Sequence, residues 1–521
     1  MNRHEDCLMD IDLSINHGYP LDMQYKLLAR RAKCLQYCSD TNLLSSCVEA
    51  ALHSLELSGL DEKRRSIIQE DISKLSIKSQ AVDRQQAISS CSPSIGPLNQ
   101  QYPALSSSAG VCESNEYGRY IRAQSNINVG DVVLTETPYC SVTLPESYFT
   151  HCSSCQARTD KLYPCRSCAD VIFCSQVCEE VSWQQWHRFE CKYSLSLKFV
   201  DINMGHLALR TALKVGHGAL SDVLKGNLNQ PDVVKYYESI YILEGHDKDR
   251  SCKDLLWRTA AAVMLAQLCD VTEWSGSSED GLVTLAAFTL RHMQIFPCNA
   301  HEISQVIYDE SQPSQSALVE VGAGIYSTLS LFNHSCDPSV VRIFHEGNTC
   351  VMKAISPIKE LEQIYDNYGC LHATHSLEDR REKLSSQYYF HCCCASCMQN
   401  WNLYSQLSFS DTPLYKCTDC GSMIIPPYSG NCDDCGALFD RVAVDKMLTK
   451  AKKGFDQVLT DLFTKSYRDY DIAKSTKAIQ AYSQLVNSLV FRPAKTLNDS
   501  QEALKHIYSL QGNVLIKSST A

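Results

Sequence analysis

Residues 331–339 read LFNHSCDPS. Two apolar residues run into Asn333-His334-Ser335-Cys336. Asp337-Pro338 follow with turn chemistry, because an Asp side chain bonds its own backbone and proline presets φ. A histidine two residues before a cysteine, at the end of an apolar run, has three readings. It is part of a metal site, a nucleophile–base pair, or a core histidine and thiol with no chemistry. No third group that would orient a base is evident beside it, which weighs against the nucleophile. The other cysteines of the chain decide the rest.

There are 28 cysteines among 521 residues, with a net charge of -11, 44% hydrophobic and 21% charged residues. The length suggests about two to four domains, and the composition is ordinary for a soluble globular protein. The longest apolar runs, AAAVMLAQLC and LVTLAAFTL, fall short of the roughly 18–20 residues that span a membrane. The opening MNRHEDCLMDIDL puts acidic residues where a secretory signal has a basic and then an apolar region. Cytoplasm and nucleus are therefore the expected locations. In such a reducing setting metal ligation is a better default for cysteines than disulfides. The acidic balance opposes a broad phosphate-binding face, so there is no strong nucleic-acid signal.

The cysteines fall into groups. Cys152, Cys155, Cys165, Cys168, Cys174, Cys178, His187 and Cys191 follow C-x2-C-x9-C-x2-C-x5-C-x3-C-x8-H-x3-C. Eight soft ligands in so short a span suit two tetrahedral zinc ions. A unit this small buries little core, so metal would carry its folding. In YYFHCCCASC, Cys392, Cys394 and Cys397 form C-x-C-x2-C, with Cys393 pointing away by alternation. That is three ligands where a closed site needs four, and Cys336 is available as the fourth. Cys417, Cys420, Cys432 and Cys435 lie in two C-x2-C-G knuckles, which look like a zinc ribbon. Each glycine allows the tight turn after the second ligand. Four thiolates leave no open position, so that metal would be structural.

Between these groups the pattern changes several times. MQYKLLARRAKCLQY and LLSSCVEAALHSLELSGL carry apolar residues at helical spacing. Residues 1–83 read as helical and similar to a tetratricopeptide repeat, part of a longer array, since about three repeats are needed for stability. Ser, Pro, Gly and Gln mark residues 84–110 as a linker. From residue 111 alternation predicts strands, with a turn at Asn128–Asp131. Residues 193–305 read as helical. Strand patterns return at SALVEVGAGIYSTLS, VVRIFHEGNTCVMKAI and LEQIYDNYG, and residues 442–521 read as amphipathic helix.

A strand region split by the first cysteine group, then NHSC, then NYG, then F-x-C-x-C-x2-C, resembles the SET and MYND domain family of protein-lysine methyltransferases. The resemblance covers about residues 111–397 and is closest to the branch with tetratricopeptide repeats. It implies an α+β fold: a SET β-fold with a pseudoknot, split by a MYND zinc finger and a helical insertion and flanked by helical regions. The SET parts would be 111–150 and 311–370, the finger 151–191, the helical insertion 192–310 and the post-SET zinc segment 371–398. The ribbon would be 399–440 and the helical C-terminal region 441–521. In the family the finger ligands interleave, which gives Cys152, Cys155, Cys174 and Cys178 one zinc and Cys165, Cys168, His187 and Cys191 the other. Trp183 and Trp186 flank the position, three before His187, where the family usually has its tryptophan. Cys336 would join Cys392, Cys394 and Cys397 around a third zinc, and the ribbon would hold a fourth.

The resemblance also implies roles at a site for S-adenosylmethionine and lysine. Tyr368 matches the catalytic tyrosine and Tyr388 a second one lining the lysine channel. Asn333, His334, Gly118, Arg119 and Tyr368 match cofactor contacts, and Phe390 matches the aromatic that stacks on adenine. The chemistry needs such a site. A lysine amine attacks only when neutral, against a free pKa of about 10.4. An apolar aromatic channel lowers it, alignment supplies much of the rate, and aromatic faces accept a methylated cation. The expected partner is a histone or other protein bearing the target lysine, with proline-rich segments or corepressors meeting the finger and helical regions. Two stretches depart from the family. Its G-x-G-x-G loop is EYGRY here, keeping only Gly118, with bulky Glu116 and Tyr120 beside it. Its Gly-Glu-Glu turn is KELEQ, with Glu360 or Leu361 near the place of the glycine. A second reading follows from them: a weakly active or inactive scaffold or transcriptional corepressor.

Overall fold

A computed structural model describes residues 4–36, 41–75, 94–199, 204–224, 232–407, 414–425, 429–467 and 469–517. The chain divides into two compact units, residues 1–89 and 90–521.

The first unit holds the helices His4–Asn16, Gln24–Leu35, Thr41–Glu56 and Glu62–Ser73. Tyr25 clusters with Ala51, Leu55 and Ile72, and Leu35 with Ala32, Leu44 and Cys47. The start of one helix thus meets the end of the next, which makes the middle pair antiparallel. Fully buried Ala32 and Ala51 let the two backbones approach. Asp61 caps the last helix by accepting from the Arg64 amide, satisfying one of its free N–H groups.

The second unit is built on short sheets. Ala109–Ser114 and Gly118–Ala123 form a hairpin. Val132–Glu136, Thr349–Ala354 and Val340–His345 form a three-stranded sheet in that order. Val514–Lys517, Ala300–Asp309, Ala317–Ile325 and Cys140–Thr143 form a four-stranded one. Their inner faces share a core that includes Ile121, Leu134, Ile325, Phe332 and Met352. Glycines in VGAGI make room for a neighbour: a Cβ on Gly322 would sit 2.6 Å from the Val142 carbonyl. The helices Gly205–Val215, Cys252–Gln267 and Gly281–Asn299 lie between the two halves of the strand region. The C-terminal helices Arg441–Thr464, Ile472–Leu489 and Lys495–Ser509 have their own core, where Phe455 stacks on Tyr482 at 4.2 Å.

Four expectations need correction. Residues 94–110 are not linker: residues 104–106 bond along Val133–Thr135, and Leu105 and Ala109 are fully buried. Two small apolar side chains in a polar stretch suffice to seat it on the sheet. The helical insertion, expected to reach residue 310, ends at Asn299. Ala300–Asp309 alternates buried and less buried positions as a strand between two neighbours. LEQIYDNYG forms no named strand; it bonds at single points to different partners, Ile121 and then Asn333. The helical C-terminal region closes with the strand Val514–Lys517, parallel to residues 306–309.

Three parts of the second unit meet at the turn after His345. Gly347 has φ +91°, and a Cβ there would collide with the backbone of Cys155 and Ala157 in the first finger knuckle. Its amide donates to Asn513 Oδ1 at 3.0 Å and its carbonyl accepts from Asn513 Nδ2 at 2.7 Å. Nearby, Lys353 is buried without a carboxylate. Its Nζ donates to Gln511 Oε1 at 2.7 Å and lies 4.9 Å from the Tyr508 ring centre.

Burial pulls the Lys353 ammonium down from 10.5 to about 8. Unfolded chains therefore bind more protons between those values, so stability rises with pH across pH 8–10.5 and carries a constant penalty below it. Lys353→Met removes the penalty. We expect it to raise the free energy of unfolding at pH 7 by about 1–2 kcal/mol, and to flatten the gain of the wild type above pH 8, in denaturant titrations.

Candidate functional site

The site begins with a carboxylate. Glu136, at the end of its strand, is buried and accepts from the amides of Thr328 and Leu329, at 3.0 and 2.8 Å, and from the Ser327 hydroxyl at 2.9 Å. These bonds fix the short 3-10 turn Leu329–Leu331 that delivers Phe332 and NHSC. Burial raises the Glu136 pKa against the pull of those donors.

The chain then crosses itself. The Asp366 amide donates to the Asn333 carbonyl at 2.9 Å, and the Ser335 amide to the Asp366 carbonyl at 2.8 Å. His334 stands between the two strands of the crossing. Its Nδ1 accepts from the Tyr368 amide at 3.0 Å, which leaves the ring proton on Nε2, 3.2 Å from Cys336 Sγ. Burial pushes the imidazole down to about 4 and so keeps it neutral. Its ring also packs beside Tyr368 and Phe390, at 5.2 and 6.1 Å between centres.

Tyr368 donates its hydroxyl to the Phe332 carbonyl at 2.7 Å, and its ring lies 4.8 Å from that of Tyr388. Burial raises both phenols, Tyr388 to about 12 and Tyr368 further, so both stay protonated donors at neutral pH. Tyr388 ends the helix Leu377–Tyr388, whose start is held by a capping box between Ser376 and Asp379. Tyr389 takes φ +61°. That left-handed step turns the chain toward Phe390 and the cysteines.

Cys336, Cys392, Cys394 and Cys397 bring their sulfurs within 4.8 Å of one another. The guanidinium of fully buried Arg380 reaches Cys397 Sγ at 3.6 Å and anchors on the His375 carbonyl at 2.6 Å. It supplies positive charge beside the four sulfurs. Across the crossing, Asn333 Nδ2 donates to the Tyr117 carbonyl at 3.3 Å. Gly118 has φ +60° with open space where a Cβ would stand, and Arg119 reaches the Ile242 carbonyl at 3.4 Å.

The same 4.8 Å limit encloses three more sets: Cys152, Cys155, Cys174 and Cys178; Cys165, Cys168, His187 and Cys191; Cys417, Cys420, Cys432 and Cys435. All four have the donor chemistry and compactness of zinc sites. In the finger, the buried His187 ring packs against Trp186 and Trp183, at 5.5 and 6.1 Å between centres. Arg210 stacks on Trp186 at 3.6 Å, pairs with Glu190 at 2.8 Å and donates to the Ser141 carbonyl at 3.0 Å. One side chain thereby joins finger, helical insertion and sheet. The ribbon is seated by the Lys416 amide on the Leu489 carbonyl, 2.8 Å.

The structure brings Asn333, His334, Tyr368, Tyr388 and Phe390 together, and it sets Gly118 next to Asn333. Reading the sequence missed Glu136, Arg342, Asp366, Arg380 and Cys298, whose thiol donates to the Gln387 carbonyl next to Tyr388. A charge inside an apolar strand, as in VVLTE and VVRIF, is the signal that could have found the first two.

A SET domain family model matches residues 118–369. A protein-lysine N-methyltransferase SMYD4 of Danio rerio is 23% identical over 98% of this chain and 73% of its own length. The Homo sapiens protein of that name is 23% identical over 76% of this chain and 60% of its own. The histone-lysine N-methyltransferase ASHR1 of Arabidopsis thaliana is 26% identical over 55% and 54%.

The bond from the Tyr368 amide to His334 is testable alone. His334→Leu leaves that partly buried donor without this partner, at a cost of about 1–3 kcal/mol. Hydrogen exchange read by mass spectrometry should show peptides across residues 361–370 losing protection, while the C-terminal helices keep theirs.

Proposed function

We propose that this chain, which belongs to the SET and MYND domain family of protein-lysine methyltransferases, transfers a methyl group from S-adenosylmethionine to a lysine of a protein. The observation that carries this reading is the crossing, which holds the Tyr368 hydroxyl on the Phe332 carbonyl against the Tyr388 ring. Two protonated phenols and a carbonyl in an aromatic pocket suit a neutral amine and disfavour an ammonium. They orient the amine for in-line attack without a strong base.

The residues present fit the cofactor. Its sulfonium supplies an electrophilic methyl group. Open space over Gly118, the backbone at Asn333 and His334, and the half-buried Arg119 and Phe390 side chains would hold its polar and adenine parts. His334 acts through its place in the crossing rather than as a base, since its Nδ1 lone pair is already bonded. The substrate is a histone or another protein, in the nucleus or cytoplasm.

We further propose four structural zinc ions, one in each cysteine set. The second reading, a scaffold acting through protein contacts, draws on Tyr117 and Tyr120, whose rings pack 6.0 Å apart beside the single glycine of the loop.

Incubation with labelled cofactor and a panel of histones and cell extract should label protein, and Tyr368→Phe should lower that labelling at least about 100-fold. Labelling undiminished by the substitution, or none with the wild type, contradicts the catalytic reading. Native mass spectrometry should count four zinc ions. Cys336→Ser should lose one of them and weaken calorimetric binding of S-adenosylmethionine together, because one short segment serves both.

A further inference from the structure

Methyl transfer as proposed leaves one set of polar side chains beside the tyrosines unused. Arg342 stands among Val341, Ile343 and Phe344 in the strand Val340–His345. Its guanidinium makes three contacts at once. Nη1 donates to His301 Nδ1 at 2.7 Å, Nε faces Asp366 Oδ2 at 3.4 Å, and Nη2 donates to the Asn367 carbonyl at 3.3 Å. His301 is 7% exposed and Asp366 3%. Because His301 Nδ1 accepts, its proton sits on Nε2. One side chain thus ties the strand that begins at Ala300, its own strand and the threading segment, at the peptide that leads into Tyr368.

An apolar residue would suit this strand. The Arg342 side chain is 29% exposed and that of Asp366 5%; replacing a largely buried ion pair by apolar groups is often neutral or stabilising, so folding alone does not call for this charge. A planar fork that bonds a carbonyl and an imidazole in fixed directions and faces a carboxylate as an ion pair is what orientation calls for. Asp366 also faces the guanidinium as its counter-charge, so Arg342 need not make the lysine pocket cationic. Tyr368, Tyr388, Tyr326, Glu302 and Cys350 are further titratable groups near it.

We propose that Arg342, held by His301 and Asp366, is a positioning residue for methyl transfer: through the Asn367 carbonyl it fixes the backbone ahead of Tyr368 and keeps the Tyr368 hydroxyl on Phe332. This rests on the methyltransferase reading above. Arg342 touches neither substrate nor cofactor, so its loss should appear in the rate of transfer and not in cofactor binding.

The test uses the full chain. Arg342→Lys keeps the charge and loses the fork. It should lower kcat about 10-fold or more, with the calorimetric dissociation constant for S-adenosylmethionine and the zinc content unchanged. Arg342→Ala should lose more activity and regain part of it with millimolar guanidinium but not with equal ammonium, an effect that general loosening of the fold does not produce. Wild-type kcat in Arg342→Lys, a loss matched by lost cofactor binding, or a folded Arg342→Ala that guanidinium does not rescue would each overturn the proposal. Should Arg342→Ala not fold, Arg342→Lys decides. Should the wild type methylate nothing, the methyltransferase reading fails first. Amide exchange at residues 361–370 in Arg342→Lys then judges the network separately, with faster exchange expected and unchanged exchange refuting it.

Discussion

Everything at the site hangs on a buried imidazole whose two nitrogens are already committed. His334 accepts from the Tyr368 amide on one side and faces the Cys336 sulfur on the other. That requires residues 364–368 to pass beside residues 332–336, and the Asp366 and Ser335 amides hold the passage. The phenol, the segment next to Gly118 and the thiolate set are therefore neighbours through one ring.

What surrounds the crossing is arranged to resist its opening. Asp337, next to Cys336, pairs with Arg492 at 2.9 Å, and the Pro338 carbonyl accepts from Gln501 at 3.4 Å. The C-terminal helical region thus supports the turn out of NHSC directly. On the other flank Arg210 joins finger and sheet through Trp186, Glu190 and the Ser141 carbonyl. The buried guanidiniums of Arg380 and Arg210 meet sulfur and opposite charge, at Cys397 and at Glu190. Lys353 is the contrast, solvated only by an amide and an aromatic face, and burial weakens its ammonium accordingly.

Local chemistry was legible in the sequence and long-range pairing was not. Cysteine spacing is short-range geometry, so the paired knuckles could be read directly. That the missing partner for Cys392, Cys394 and Cys397 lies 56 residues upstream of Cys392 could be raised from spacing only as an availability, and it took the family resemblance to name Cys336. The strand pattern of VVRIFHEGNTCVMKAI was legible because its apolar and polar residues alternate on both sides of a turn with Gly347. The strand Ala300–Asp309 was hidden by a helix running straight into it. Leu105 and Val514–Lys517 were hidden because four or fewer apolar residues carry no period. LEQIYDNYG alternates as strands do but changes partner midway, which single-strand patterns do not encode. The roles of Arg342 and Asp366 depend on three segments meeting, so no window of sequence contained them.

The tip between His345 and Thr349 looks, in the sequence, like a surface turn. Such tips are where a fold ordinarily accepts an inserted tag, a label or a proteolytic nick. Here the backbone of the finger covers one face of Gly347 and Asn513 clamps the other. The turn is therefore a joint rather than an end. Its length is set from both sides, and it is a poor place for an epitope or a fluorophore even though its residue composition invites one.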